Sequence, residues 1–450
     1  MKSGSNRSRS MQKGINRIFI IIPAALILIA AIVLVSLYLN GFFYDRREIK
    51  VTPASSEAEI AALSTESRIV PQDMLSRTLT LLNSQTFTAP YVISWYALPG
   101  SISSITAYAS EYLVTSDQVA LLRCYVEAGD KDSARELANA IEKDFTGADG
   151  FLVPGQKITD LPAFSGLGQI SPPHAEFEEL PPETAYSMEA TIGYVRALME
   201  YYNKWGLASD WTRIEKFADA LYSSDGFFFE DQTITDSLNT PVPTGANQDI
   251  VSAAEGQMPT GGSFTTLSLS ALDLEVFRML SEADSKYTPM YTSASDILSG
   301  ALISSDLPLY AIGYTQSSAG YVYFTGETAQ ADLILSLKVT LHLVEAGLDA
   351  SQTLLWIKEQ MYNEGMLFTN YDLISGQATT TVEAVEAYGI ILQIAVKADD
   401  RDLYGVALKR LESHLATSTT SAASGTIFRQ MDNSRVVVFA KDNLETLLGV

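Results

Sequence analysis

Three acidic residues stand at the heads of segments that are otherwise apolar. Asp117 follows Thr115-Ser116, Glu189 sits in Tyr186-Ser187-Met188-Glu189, and Asp332 sits in Ala331-Asp332-Leu333-Ile334. A carboxyl group can give or take a proton, so three on one surface would make a site for acid–base chemistry. Each acid also admits a plainer role, because a carboxylate near a helix N-terminus accepts backbone N–H bonds and complements the helix dipole. Asp332 fits that role least well. Only Ser336 and Lys338 break the apolar run from Leu333 to Val339, so an acid at its head must face a polar cavity or be buried at heavy cost. Metal chemistry lacks residues to carry it. His174, His342 and His414 lie far apart with no H-x-x-x-H spacing, and Cys124 is the one cysteine. No metal, no cofactor and no internal disulfide is expected.

The segments behind the acids alternate in character. Ser116–Gly129 is apolar on most faces, and Asp132–Phe145 then carries Ala134, Leu137, Ala138, Ile141 and Phe145 on one 3.6-residue stripe. The same pairing recurs in Glu183–Trp205 with Ser209–Tyr222, Phe264–Leu280 with Tyr287–Gly300, Thr328–Ala346 with Ala350–Asn363, and Val382–Val396 with Asp402–Leu415. A helix apolar all round must be covered all round, whereas one apolar stripe covers a neighbour and leaves the other face to water. The alternation therefore predicts an all-α fold, a closed (α/α)6 toroid of helical hairpins with an inner and an outer ring. Gln72–Leu82 and the segment near Asn443–Leu448 would supply the sixth pair. In such a ring all inner-helix N-termini lie on one rim, so Asp117, Glu189 and Asp332 would converge.

Long connections join the hairpins. Phe151–Pro182 is rich in proline, Thr233–Gly262 in Gly, Pro, Ser and Thr, and Leu307–Gly326 carries Tyr310, Tyr314, Tyr321, Tyr323 and Phe324. Loops this long are usually functional. Their aromatic rings would either stack on sugar rings or pack the rim.

The chain is 450 residues long, 47% hydrophobic, with a formal net charge of −23. Residues 1–50 hold eight Lys and Arg against two acids, which leaves the remaining 400 at −29. A field of that sign repels nucleic acid and anionic polymers. Residues 18–39 are free of charge for 22 positions, long enough at about 1.5 Å per residue to span a bilayer core. The run exceeds the 7–15 residues usual for a cleaved signal peptide, and no clear small-residue cleavage site follows it. The expected layout is a cytoplasmic tail at 1–17, a transmembrane signal-anchor at 18–39, a stalk at 40–70, and a main domain at 71–450 outside a cell membrane. Five basic residues ahead of the run set that orientation. Cys124 would then be a buried thiol in an oxidising compartment.

The chain also resembles a known family. TSDQVALLRCYVEAGD is similar to the T-S-E-G-Q-x-Y motif of glycoside hydrolase family 8. PETAYSMEATIGYVRAL resembles its A-T-D-A-D-x-x-I-A-Y motif, with Glu189 on the second Asp and Tyr194 on the Tyr. GETAQADLILSLKV resembles its Y-D-A-I-R-x-P motif, with Asp332 on the Asp. The order and spacing agree, and the likeness runs through most of residues 72–415. It implies an (α/α)6 toroid of inverting endo-glycosidases acting on β-1,4-linked glucan, xylan or chitosan. It further implies that Asp117 is the general acid, that Asp332 positions or activates water, and that Glu189 holds the sugar. Trp95, Tyr186, Tyr194 and Tyr323 are the accompanying candidates for substrate binding. The departures are an Asp at 117 where the family has Glu, the missing glycine before Gln118, and Leu335 and Leu337 in place of Arg and Pro.

The expected function is a membrane-anchored extracellular glycoside hydrolase, an endo-β-glucanase or chitosanase in kind, that cleaves a neutral or cationic β-linked polysaccharide beside synthesis and export machinery. The alternative is a catalytically inactive toroid that binds polysaccharide or an export partner.

Overall fold

The computed structural model describes residues 67–82, 91–98, 108–110, 112–157, 186–206, 208–222, 232–234, 242–243, 264–316, 319–323, 330–430 and 436–450, with a few helical positions between 28 and 35. Among the described residues no helix is long and apolar enough to cross a membrane. Most of the expected span at 18–39 lies outside them, as do the tail at 1–17 and most of the stalk at 40–70.

Twelve helices of the described residues form the body. They are α1 Pro71–Leu82, α2 Thr115–Ala128, α3 Lys131–Phe145, α4 Met188–Trp205, α5 Ala208–Leu221, α6 Leu274–Ala283, α7 Thr288–Ser299, α8 Leu333–Glu345, α9 Ser351–Asn363, α10 Val385–Ala398, α11 Arg401–Ser413 and α12 Ala440–Gly449. The even-numbered helices form the inner ring, in which α2, α4, α6, α8, α10 and α12 each pack on the next and α12 returns to α2. The odd-numbered helices lie outside. Burial follows the apolar patterns: every residue of α10 from Val385 to Ala395 is buried, whereas α3 buries only the stripe Ala134, Leu137, Ala138, Ile141 and Phe145.

Hairpin corners are set by local chemistry. α2 stops at Gly129, left-handed at φ 79°, and Asp130 beside it caps α3 by accepting from the Ser133 N–H at 3.1 Å. Asp399, at φ 55°, and Asp400 repeat the device between α10 and α11, where Asp400 accepts from the Leu403 N–H at 3.1 Å. A left-handed residue ends one helix, and a carboxylate next to it starts the following one.

The sixth hairpin closes the ring from both directions of the chain. α12 packs against α10, α2 and α1. Thr78 of α1 donates to Asn443 of α12 at 3.4 Å, across 365 residues. The α10–α12 contact needs glycine, because a Cβ on Gly389 would stand 2.6 Å from the Thr446 backbone nitrogen, and one on Gly449 would stand 2.6 Å from the Leu392 Cβ. Cys124 is buried in the same wall, its thiol against the Leu444 carbonyl at 3.6 Å.

Two differences from the sequence reading concern the rim. Short antiparallel ribbons lead into the inner helices: 112–114 pairs with 155–157, 330–332 with 370–372, and 436–439 with 95–97. Strands of three or four residues carry no readable alternation of their own. The segment Phe264–Leu280 is also not one helix. It runs as a strand at Phe264–Ser268, a 3-10 turn at Leu269–Ala271, and then α6 from Leu274. Thr266, Leu267 and Ser268 are all buried, so this part of the strand alternates no exposed face with a covered one and is not marked off from the helix that follows.

Candidate functional site

Each outer helix reverses the chain, so the six inner helices point the same way and their N-termini share one rim. A cavity of about 610 Å³ opens there. Asp117, Glu189 and Asp332 all line it, as does Trp95.

Asp117 lies in the first turn of α2 and is 6% exposed. The start of that helix is fixed by Thr115, whose N–H donates to the Pro154 carbonyl at 2.9 Å and whose hydroxyl donates to the Val153 carbonyl at 2.5 Å. The capping position belongs to Val114, which offers no side-chain bond. Gln118 next to it accepts from the Val92 N–H at 3.0 Å and donates to the Val92 carbonyl at 2.8 Å. It thereby fastens the segment that carries Trp95 to the cavity wall.

Glu189 lies in the first turn of α4, whose cap is the Ser187 hydroxyl, 3.1 Å from the Ala190 N–H. Freed of capping, Glu189 turns into the cavity and is 34% exposed. Lys338 Nζ donates to its Oε1 at 2.6 Å, and the Ser270 hydroxyl donates to its Oε2 at 3.5 Å. The Lys338 ammonium holds the carboxyl below its usual range against the opposing effect of burial.

Asp332 does both things that the sequence allows. Its Oδ1 caps α8 by accepting from the Leu335 N–H at 2.9 Å, and the same side chain lines the cavity. Burial raises its pKa, outweighing the backbone N–H bonds that favour the charge.

The remaining inner helices complete the pattern. Asp273 caps α6, Glu386 lies in the first turn of α10, and Asp442 in the first turn of α12. All six inner helices thus carry an acid at the rim end. Cations answer them. Lys441 pairs with Glu386 at 3.2 Å, and Arg429 makes a two-pronged pair with Asp442. Deeper in, Arg196 bonds Asp273 at 2.9 Å and Glu345 at 2.8 and 2.5 Å, while Glu200 accepts from Arg196 at 3.0 Å and from Arg123 at 3.1 Å. Asp273, His342 and Glu345 lie close enough together to suggest a metal. The Arg196 guanidinium already occupies an oxygen of Asp273 and both oxygens of Glu345, so the three do not form an open ligand set.

The aromatic candidates divide. Trp95 reaches the cavity, while Tyr186, Tyr194 and Tyr323 are not among its described lining residues. Tyr194 is fully buried on the outward side of α4, opposite Glu189, Gly193 and Arg196. Its hydroxyl donates to the Ala138 carbonyl at 2.9 Å, and Phe217 meets its ring edge-on at 5.1 Å, so it joins α4 to the outer ring instead of binding a ligand. Tyr186 packs on Phe151 at 5.1 Å. Tyr323 is buried beside Tyr321, with ring centres 6.3 Å apart. The described tyrosines of Leu307–Gly326 thus pack the rim. Phe324 and most of the other two long loops lie outside the described residues.

Sequence reading passed over Asp273, Glu386, Asp442 and Lys338. Asp273 was hidden by the strand that reads as helix. Glu386 and Lys338 did leave a signal, a charge inside an apolar helix, which burial permits only beside a partner.

No known family model matches the chain, and no curated protein matches it. Solved structures do. The chain is similar to an α-amylase from Clostridium perfringens at 19% identity and a TM-score of 0.60, covering 88% of this chain and 98% of that one. Weaker likenesses are to endoglucanase Cel10, a family 8 glycosyl hydrolase from Klebsiella pneumoniae (11% identity, 76% and 97% covered, TM-score 0.47), and to the endo-β-1,4-glucanase CMCax from Acetobacter xylinum (10%, 76% and 98%, TM-score 0.48). In fold, this chain is a six-hairpin helical toroid similar to that α-amylase.

Proposed function

We propose that the protein is a glycoside hydrolase that cleaves a neutral or cationic polysaccharide with inversion. The observation that carries the reading is the meeting of Asp117, Glu189 and Asp332, from three different inner helices, in one cavity. Asp117 protonates the leaving oxygen, Asp332 takes a proton from the attacking water, and Glu189 holds the sugar at the scissile bond. An inverting pair of carboxyls stands about 6.5–9.5 Å apart to admit the water between them. The raised pKa of Asp332 suits a base, because a carboxylate that bears its charge less comfortably takes a proton more readily. The pairing of cations supports the choice of substrate. The described lysines and arginines of the lining are each bound to an acid, which leaves none committed to a uronate or sulfate.

A β-linked chain follows from the motif resemblance. The likeness to an α-amylase favours a second reading, an α-linked glucan, in the same site. Reducing-end release from a panel of β-glucans, chitosans and α-glucans decides between them. Binding without hydrolysis across the whole panel would instead leave a polysaccharide-binding toroid. We further place the enzyme outside the cell membrane on the 18–39 anchor, beside the machinery that makes or exports its polymer. Protease added to intact cells would then degrade the main domain, and its full protection until lysis would rule that placement out.

A further inference from the structure

Lys338 is the one cation on the cavity-facing stripe of α8, which otherwise presents Ile334, Leu335, Leu341 and His342. A lysine there gives up rotamer freedom and hydration, which offsets much of what a partly exposed ion pair returns. Stability is therefore a poor reason for its presence. Geometry suggests a better one. The ammonium spans the lumen from α8 to α4 and binds a single oxygen of Glu189 at 2.6 Å, while that carboxylate stays open to the cavity. Among the described residues the other oxygen meets only the long Ser270 contact at 3.5 Å.

We propose that Lys338 is a positioning residue, which keeps the Glu189 carboxylate ionised and in one orientation at the edge of the space that Asp117 and Asp332 also line. The role rests on the glycosidase reading and adds to it a residue that the motifs do not mark. Charged or titratable groups reach this cavity from every inner helix: Asp117 and Arg123 on α2, Arg196 beside Glu189 on α4, Asp273 at the head of α6, Asp332, Lys338 and His342 on α8, Glu386 on α10, and Lys441 and Glu445 on α12, with Arg429 beside them. Among the acids, Glu386 pushes the Glu189 carboxyl up. Lys338 is the cation that overrides them. Without it Glu189 takes up a proton at a higher pH and swings free of its orientation.

The test uses the full chain with Lys338→Met and Lys338→Arg, on whichever polysaccharide the parent cleaves. Lys338→Met is expected to lower kcat more than it alters KM, and to move the acid limb of kcat/KM upward by about 1–3 pH units, the size of an opposite charge within 4–6 Å. Lys338→Arg restores both. An unmoved acid limb in Lys338→Met, with activity lowered equally at all pH values, overturns the proposal and leaves Lys338 a structural residue. A second readout needs no turnover. Carbon-13 NMR of glutamate-labelled protein, with Glu189 assigned by its loss in Glu189→Gln, follows that carboxyl directly. Its midpoint rises in Lys338→Met if the proposal holds, and an unchanged midpoint overturns it even if no sugar is cleaved. Lys338→Gln, which keeps a donor and loses the charge, gives the same readings if the methionine variant does not fold.

Discussion

Arg196 on α4 grips Glu345 on α8 with two donors, Nη1 to Oε2 at 2.8 Å and Nη2 to Oε1 at 2.5 Å, and with Nη1 also holds Asp273 on α6 at 2.9 Å. One guanidinium so joins three inner helices. Replacing it leaves two buried carboxylates uncompensated, which typically costs about 3–5 kcal/mol. Arg196→Met should lower the urea midpoint accordingly, and adding Glu345→Gln should recover part of the loss. A single-variant cost below about 1 kcal/mol would mean that the network is solvated.

Asp117 separates an enzyme from a binder. Asp117→Asn keeps shape and polarity but cannot donate a carboxyl proton. Turnover should fall about 10²–10⁴-fold. Sugar affinity should barely change, because an amide still hydrogen-bonds a hydroxyl. Asp117→Glu lengthens the acid by one methylene and should raise turnover if reach limits the site. Turnover close to the parent's in Asp117→Asn, with the fold intact, would assign Asp117 to helix support alone.

Asp332 should trade stability for activity. Its folded pKa lies above the ordinary Asp value of about 3.9, so the parent loses stability as pH rises through that folded value. Asn caps a helix as well as Asp does and carries no charge to bury. Asp332→Asn should therefore abolish hydrolysis while leaving the melting temperature at pH 7 equal to or above that of the parent. The advantage should vanish once the pH falls below the ordinary value, where the parent carboxyl is protonated. A variant that is less stable at pH 7 would show that the charge is stabilised in place.

Gly389 tests the closure of the ring. A Cβ there would stand 2.6 Å from the Thr446 nitrogen, so its absence is what lets α10 and α12 pack this closely. Gly389→Ala must force the two helices apart and should cost about 1–3 kcal/mol in chemical denaturation. A neutral result would mean that α12 shifts without penalty.

Much of the ring was legible because its helices are long and their burial is written in their composition. α10 is apolar on every face, α3 on one stripe, and an inner ring wrapped by an outer one covers both. Asp117, Glu189 and Asp332 were legible as acids at helix heads, and the toroid brings them together. Tyr194 was misleading because a tyrosine one residue past the lumen-facing Gly193 lies on the wrong side of α4. Lys338 went unweighed because its partner is 149 residues away, and sequence spacing carries no trace of a pairing made across a lumen.

The pairing of α1 with α12 has a consequence for how the molecule comes into being. Thr78 and Asn443 meet across 365 residues, so the last inner stave is made long after its neighbours. Until it arrives, α10 and α2 show apolar flanks on either side of a gap, and α1 has nothing to wrap. The entropy of bringing such distant segments together grows only slowly with their separation. The hazard lies in the waiting: a nearly finished ring with a sticky slot will accept any apolar helix, including the α12 of another copy. Assembly is thus safest when chains emerge one at a time or under guard.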